Sequence, residues 1–162
     1  MDKGQGQSSG QRARQPRTGW AGVNSAPSAS QDSGSGRQAP PLHILIVEDE
    51  LLPATLLEIA VMDAGHVAHK AAGLSKAMAL ASAEPFDAAV LDVNLAGEFV
   101  FPLAALLRKR GVPFLFASGY GRAGVPPEYQ DCTVLQKPYA TDVFNDALRT
   151  LLQGPDPAQA RR

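Results

Sequence analysis

The sequence predicts an α/β fold, a doubly wound five-stranded parallel sheet flanked by helices. Two observations carry that prediction. From His43 onward, short continuous apolar runs alternate with stretches of helical spacing, the pattern of strands covered on both faces and joined by crossover helices. In addition, polar residues of defined chemistry stand where four of those runs end, and in such sheets sites form beyond the carboxyl ends of the strands.

The first strand is Ile44-Leu-Ile-Val47, a run with no polar alternation. A helix is expected over about 50–64, with Leu52, Leu56, Ile59 and Met62 spaced along one side, Pro53 tolerated in its first turn and Gly65 as its stop. His66 to Ala71 reads as a second, less apolar strand. Ser75 is the expected N-cap of a helix over 76–83, stopped by Glu84-Pro85.

Phe86 to Val93 gives the third strand. Leu103, Leu106 and Leu107 mark a helix closed by Arg108-Lys-Arg110 and Gly111, cations and a glycine where the helix dipole favours them. The fourth strand is Val112 to Ala117, with Pro113 at its start, and the fifth is Thr133 to Gln136. Thr141 is the expected N-cap of the last helix, which carries a stripe of Val143, Phe144, Ala147, Leu148, Leu151 and Leu152 before Gly154-Pro155.

This organisation places one domain at 42–153. Residues 1–41 contain seven Gly, seven Ser, six Gln and four Pro. Such a segment cannot bury enough surface to offset its ordering entropy, so a disordered tail is expected there. A short flexible end is expected over 154–162. The tail has five basic and two acidic side chains; residues 42–152 have eight and thirteen. Five cations over 41 residues are sparse, so no nucleic-acid partner is expected. The N-terminus lacks a signal-type apolar core and no 18-residue apolar run occurs, which predicts a cytoplasmic protein with no membrane contact.

Cys132, the single cysteine, excludes an internal disulfide and is expected as a small core residue opening the fifth strand. His43, His66 and His69 have no carboxylate or cysteine at metal-ligand spacing. His66 and His69 are three apart in a strand-like stretch and point to opposite faces, so no shared metal ion is expected of them.

Gly119-Tyr-Gly-Arg-Ala-Gly124 fits the dinucleotide fingerprint G-x-G-x-x-G. That fingerprint needs a helix directly after its glycines to meet the pyrophosphate. Here Val125-Pro-Pro-Glu128 follows, which cannot begin a regular helix. The glycines are read instead as shaping a loop that rearranges beside Ser118.

At the strand ends stand Glu48-Asp49, Asp92, Ser118 and Lys137. Three carboxylates together repel one another and need a cation; an oxygen-only set suits Mg²⁺. An aspartate so placed can attack phosphorus, and a hydroxyl with an ammonium can hold phosphoryl oxygens.

On ILIVEDE (44–50), VLDVNLAG (90–97), FASG (116–119) and KPY (137–139), the sequence resembles the receiver domains of bacterial two-component response regulators over 43–152. The resemblance implies the flavodoxin-like strand order 2-1-3-4-5, with a short or irregular fourth helix. It implies Asp92 as phosphoacceptor, Asp49 and Asp92 as Mg²⁺ ligands, Glu48 acting through water, and Asn94 offering its backbone carbonyl. Ser118 and Lys137 take the places of the family's hydroxyl and lysine. FASGYG with LQKPY is similar to the FAT GUY subgroup, with Ser118 where threonine is usual. Val134 replaces the family's aromatic switch, and Tyr120 and Tyr139 are the candidates for that role.

The function so implied is that of a phosphoacceptor, not an enzyme acting on other molecules. Its expected partners are a sensor histidine kinase or histidine phosphotransfer protein and a downstream protein, since only ten residues follow Leu152. The alternative is a pseudo-receiver that binds partners without phosphorylation. A haloacid-dehalogenase-type phosphohydrolase is disfavoured: Asn94 stands where that class needs an acid, and no cap domain fits.

Overall fold

The computed structural model describes residues 39–154. The tail expected over 1–41 and the end expected over 154–162 lie outside them, apart from residues 39–41 and 154. The elements are β1 (His43–Val47), α1 (Leu51–Asp63), β2 (Val67–Ala71), α2 (Leu74–Ala83), β3 (Ala88–Asp92), β4 (Asn94–Leu95), β5 (Glu98–Phe99), α3 (Phe101–Lys109), β6 (Phe114–Ser118), β7 (Val134–Gln136) and α4 (Thr141–Gln153).

Five strands form one parallel sheet in the order β2-β1-β3-β6-β7. Counting only its members, this is the expected order 2-1-3-4-5. Because side chains alternate across a strand, each central strand feeds two cores. Ile44, Ile46 and Val90 pack against Leu57, Ala60 and Val61 of α1 and Phe144 and Leu148 of α4. Leu45, Ala89 and Leu91 pack on the other face with Ala77 and Ala81 of α2 and Leu103 and Leu107 of α3. Among the described residues, no helix is long and apolar enough to cross a membrane.

The apolar line expected along one side of α1 is its solvent side. Leu52, Leu56, Ile59 and Met62 are exposed, Leu52 at 70 %, while Ala54, Leu57, Ala60 and Val61 are buried. The helix is apolar nearly all round, so spacing alone does not select a face. The buried side combines the small Ala54 and Ala60 with Leu57 and Val61, which share a core cluster with Ile44 and Ile46 of the sheet. Likewise Val143 is exposed at the start of α4, and Phe144 and Leu148 carry its buried stripe.

Two expected caps are also displaced. Gly73, not Ser75, precedes the first turn of α2, and Ala140, not Thr141, precedes that of α4; neither helix has a side-chain cap. Extended backbone at Gly73 and Ala140 lets each helix start one or two residues early. Cys132 lies in the turn before β7, half-buried against the α2–α3 core; its sulfur accepts from Arg108 Nη2 at 3.3 Å.

Between β6 and β7 there is no full helix, only 3₁₀ turns at Gly121–Gly124 and Pro127–Tyr129. Pro126 and Pro127 cannot donate the amides that a longer helix needs. After β3 a small antiparallel hairpin, β4–β5, was not expected. Ala96 and Gly97 both have positive φ, 51° and 97°, as a two-residue hairpin turn of right-handed twist requires.

Candidate functional site

The parallel register aligns the strand ends. Val47 is opposite Leu91, Asp92 opposite Ala117 and Ser118 opposite Gln136, so the residues just past β1, β3, β6 and β7 gather at one edge. Glu48, Asp49 and Asp92 each offer a carboxylate oxygen within 4.8 Å of the others. Glu48 and Asp92 are buried, Asp49 half-buried.

Lys137 reaches into this cluster. Its Nζ donates to Glu48 Oε2 at 2.6 Å and to Asp92 Oδ2 at 2.9 Å. Burial alone would lower the Lys137 ammonium, but its hydrogen bonds to Glu48 and Asp92 outweigh that and hold it above the ordinary lysine range. Burial pushes the Glu48 carboxyl up, against the hydrogen bond from Lys137, and the charge on Asp92 adds to the rise. The Lys137–Pro138 peptide bond is cis.

The backbone fixes both carboxylates. Glu50 N–H donates to Glu48 Oε1 at 3.2 Å, and Asn94 N–H donates to Asp92 Oδ1 at 3.2 Å. The Asn94 side chain is turned to the hairpin, where its Oδ1 accepts from Gly97 N–H at 2.7 Å.

Ser118 is fully buried at the end of β6. Its Oγ accepts from Tyr120 N–H at 3.1 Å, and its carbonyl accepts from Lys137 N–H at 2.9 Å. A Cβ built on Gly124 would stand 2.7 Å from Ser118 Oγ. The loop carrying the fingerprint glycines thus lies directly over the hydroxyl, a contact that only a residue without a side chain permits.

All six residues expected at the site, Glu48, Asp49, Asp92, Asn94, Ser118 and Lys137, therefore lie at this edge of the sheet. Chemically the arrangement offers an oxygen-only cation site, two carboxylates bridged by one ammonium, and a buried hydroxyl beneath a glycine of the following loop. Gly124 was not singled out from sequence for this contact; its place in a glycine-rich loop after Ser118 was the available signal.

The two aromatic candidates differ. Tyr120 is 80 % exposed, whereas Tyr139 is half-buried and stacks on Phe144 at 6.3 Å. Tyr129 is buried against Phe101, Phe114 and Phe116, in the core cluster on which half-buried Val134 also packs.

No protein-family model matches the chain. The transcriptional regulatory protein TcrA of Mycobacterium tuberculosis is 35% identical over 124 residues, 72% of this chain and 48% of TcrA. The chain thus spans about half the length of the curated relatives it matches. The solution structure of SdrG from Sphingomonas melonis Fr1 is 37% identical and superposes with a TM-score of 0.62, covering 71% of this chain and 99% of SdrG. The receiver domain of the sensor histidine kinase PA1611 from Pseudomonas aeruginosa PAO1, solved with a magnesium ion coordinated in its active-site cleft, shares the fold at 19% identity. Its TM-score is 0.59, with 70% of this chain and 99% of that domain covered.

Proposed function

The chain belongs to the receiver-domain family of response regulators, and on that premise we propose that it takes a phosphoryl group from a phosphohistidine onto Asp92. The observation that carries this reading is the grip of one lysine on two buried carboxylates, Glu48 and Asp92, at the carboxyl edge of the sheet.

The donor set fits Mg²⁺. Three carboxylate oxygens converge within 4.8 Å, with no nitrogen or sulfur donor among them. Glu48, Asp49 and Asp92 would hold the ion, Glu48 through water, with the Asn94 carbonyl completing the set. Bound there, Mg²⁺ offsets the repulsion between the carboxylates and the incoming phosphoryl oxygens.

In the transfer, a carboxylate oxygen of Asp92 forms a bond to phosphorus as the bond from phosphorus to the donor imidazole nitrogen breaks. The imidazole leaves with the electron pair and takes a proton from solvent. Lys137 moves from Asp92 Oδ2 to a phosphoryl oxygen, a shift between neighbouring anions for one ammonium. Ser118 binds another phosphoryl oxygen once Gly124 moves off its hydroxyl, and that movement remodels the loop over 119–125. The chain so acts as a two-state switch read by a protein partner, and it catalyses only its own phosphorylation and dephosphorylation.

A sensor histidine kinase or histidine phosphotransfer protein is the donor in this reading. The exposed apolar side of α1, at Leu52 and Leu56, lies next to Lys137 and Tyr139 along one groove and offers it a docking face. The test is transfer of label from a phosphohistidine donor to the parent chain and to Asp92→Asn. Label on the parent alone supports the reading; a partner bound equally by both chains, with neither labelled, would instead favour a phosphorylation-independent binding module.

A further inference from the structure

At the opposite edge of the sheet from Asp92, two histidines distant in sequence converge. His43 Nδ1 and His69 Nε2 are 2.9 Å apart, with ring centroids 5.1 Å apart. That combination of distances sets the rings nearly end to end, with the two nitrogens facing. The register explains the meeting. His43 pairs with Val67, and His69 lies two residues on, so both side chains project from the same face of neighbouring parallel strands.

We propose that His43 and His69 form a second metal site, specific for a divalent ion of the zinc type. Imidazole nitrogens are ligands of choice for such ions and poor ones for Mg²⁺. Two zinc–nitrogen bonds at a tetrahedral angle separate their nitrogens by about 3.3 Å, so the rings need to part by only a few tenths of an ångström. Coordination would replace the nitrogen–nitrogen contact, each ring turning its lone pair off the line between them toward the ion.

The surroundings suit a cation. Glu84 Oε2 lies 4.0 Å from His69 Nδ1, the ring nitrogen facing away from His43. That carboxylate lies beyond hydrogen-bond distance and contributes its negative charge to the surroundings of the pair. Asp87 Oδ2 accepts from the His43 backbone N–H at 2.7 Å, which fixes the start of the strand that carries His43. Among the described residues neither carboxylate pairs with a lysine or arginine. The carboxyl end of α2 at Ala83 adds its partial negative charge. Phe86 meets the His69 ring edge-on at 5.2 Å and limits its rotation, while the 27 % exposure of the His69 side chain leaves room for water to complete the coordination. The ion would tie β2, the edge strand, to β1.

The test is Zn²⁺ titration of the full chain in excess Mg²⁺, followed by calorimetry and by the histidine ring resonances. The chain has three histidines, and His66, whose Nδ1 accepts from Leu42 N–H, is the internal control. The site predicts one Zn²⁺ bound, and His43 and His69 resonances shifted with His66 unmoved. His69→Gln should weaken binding at least tenfold, and Asp92→Asn should leave it unchanged. Equal shifts at all three histidines, or affinity lost in Asp92→Asn and kept in His69→Gln, would overturn the proposal. The resonances of the parent chain decide the matter even if His69→Gln fails to fold.

Discussion

Lys137 Nζ stands 0.3 Å closer to Glu48 Oε2 than to Asp92 Oδ2, at 2.6 and 2.9 Å. The lysine therefore serves as counter-ion for both carboxylates, and removing it exposes their mutual repulsion. Breaking a fully buried pair costs about 3–5 kcal/mol; the Lys137 side chain keeps 24 % exposure, so Lys137→Met should cost about 2 kcal/mol at pH 7. The cost should shrink towards pH 5, because Glu48, already raised by burial and by Asp92, takes up a proton more readily without the lysine. Urea unfolding at the two pH values measures the difference.

The same electrostatics give Mg²⁺ a pH-dependent effect on stability. Glu48 is raised in the folded chain, so its contribution is present at low pH and lost as pH rises through its raised pKa. Lys137 is raised too, and its contribution persists until pH exceeds the ordinary lysine range. Near neutrality the ionised carboxylates are thus the unfavourable element, and they are what the cation relieves. Mg²⁺ at ten times its Kd should stabilise by about 1.4 kcal/mol at pH 7.5, roughly 5 °C in Tm for a domain of this size. At pH 5 the shift should fall as protons compete, and in Asp92→Asn it should be much reduced. Thermal melts with and without Mg²⁺ report both.

Gly124 offers a test of the cover over Ser118. A Cβ there would meet Ser118 Oγ at 2.7 Å, whereas at Gly119 it would meet nothing within 4 Å. Gly124→Ala should destabilise by about 1–2 kcal/mol, as overpacking does, and should change phosphorylation by acetyl phosphate. Gly119→Ala should leave stability within about 0.5 kcal/mol. Chemical denaturation of the pair separates crowding from loss of glycine flexibility.

The two sides of α1 make opposite predictions for neighbouring leucines. Leu57 is 5 % exposed and packs with Ile44, Ile46 and Phe144, so Leu57→Ala should cost about 2–4 kcal/mol. Leu56 is 57 % exposed, and Leu56→Ala should stay within about 0.5 kcal/mol while weakening any partner docked on that face. Unfolding curves and phosphotransfer rates distinguish the two roles.

That leucine pair also marks where reading from sequence alone reaches its limit. The sheet was legible because Ile44–Val47, Ala88–Asp92 and Phe114–Ser118 are unbroken apolar runs, which only doubly covered strands tolerate. The position of the site was legible for the same reason, since Glu48, Asp92 and Ser118 close those runs, and Lys137 directly follows the short last strand. The buried side of α1 was not, because Leu52 and Leu57 differ in neighbours and not in character. Nor was the β4–β5 hairpin, whose turn uses Ala96 at positive φ where asparagine or glycine is usual. The His43–His69 contact depends on strand register, a property set by the whole sheet and invisible in residue spacing.

The central claim is tested most directly by the intact mass of the chain after incubation with Mg²⁺ and acetyl phosphate, beside Asp92→Asn treated identically. The account predicts one added phosphoryl group on the parent and none on the variant. An unmodified parent that nonetheless binds Mg²⁺, or equal modification of both chains, would contradict it.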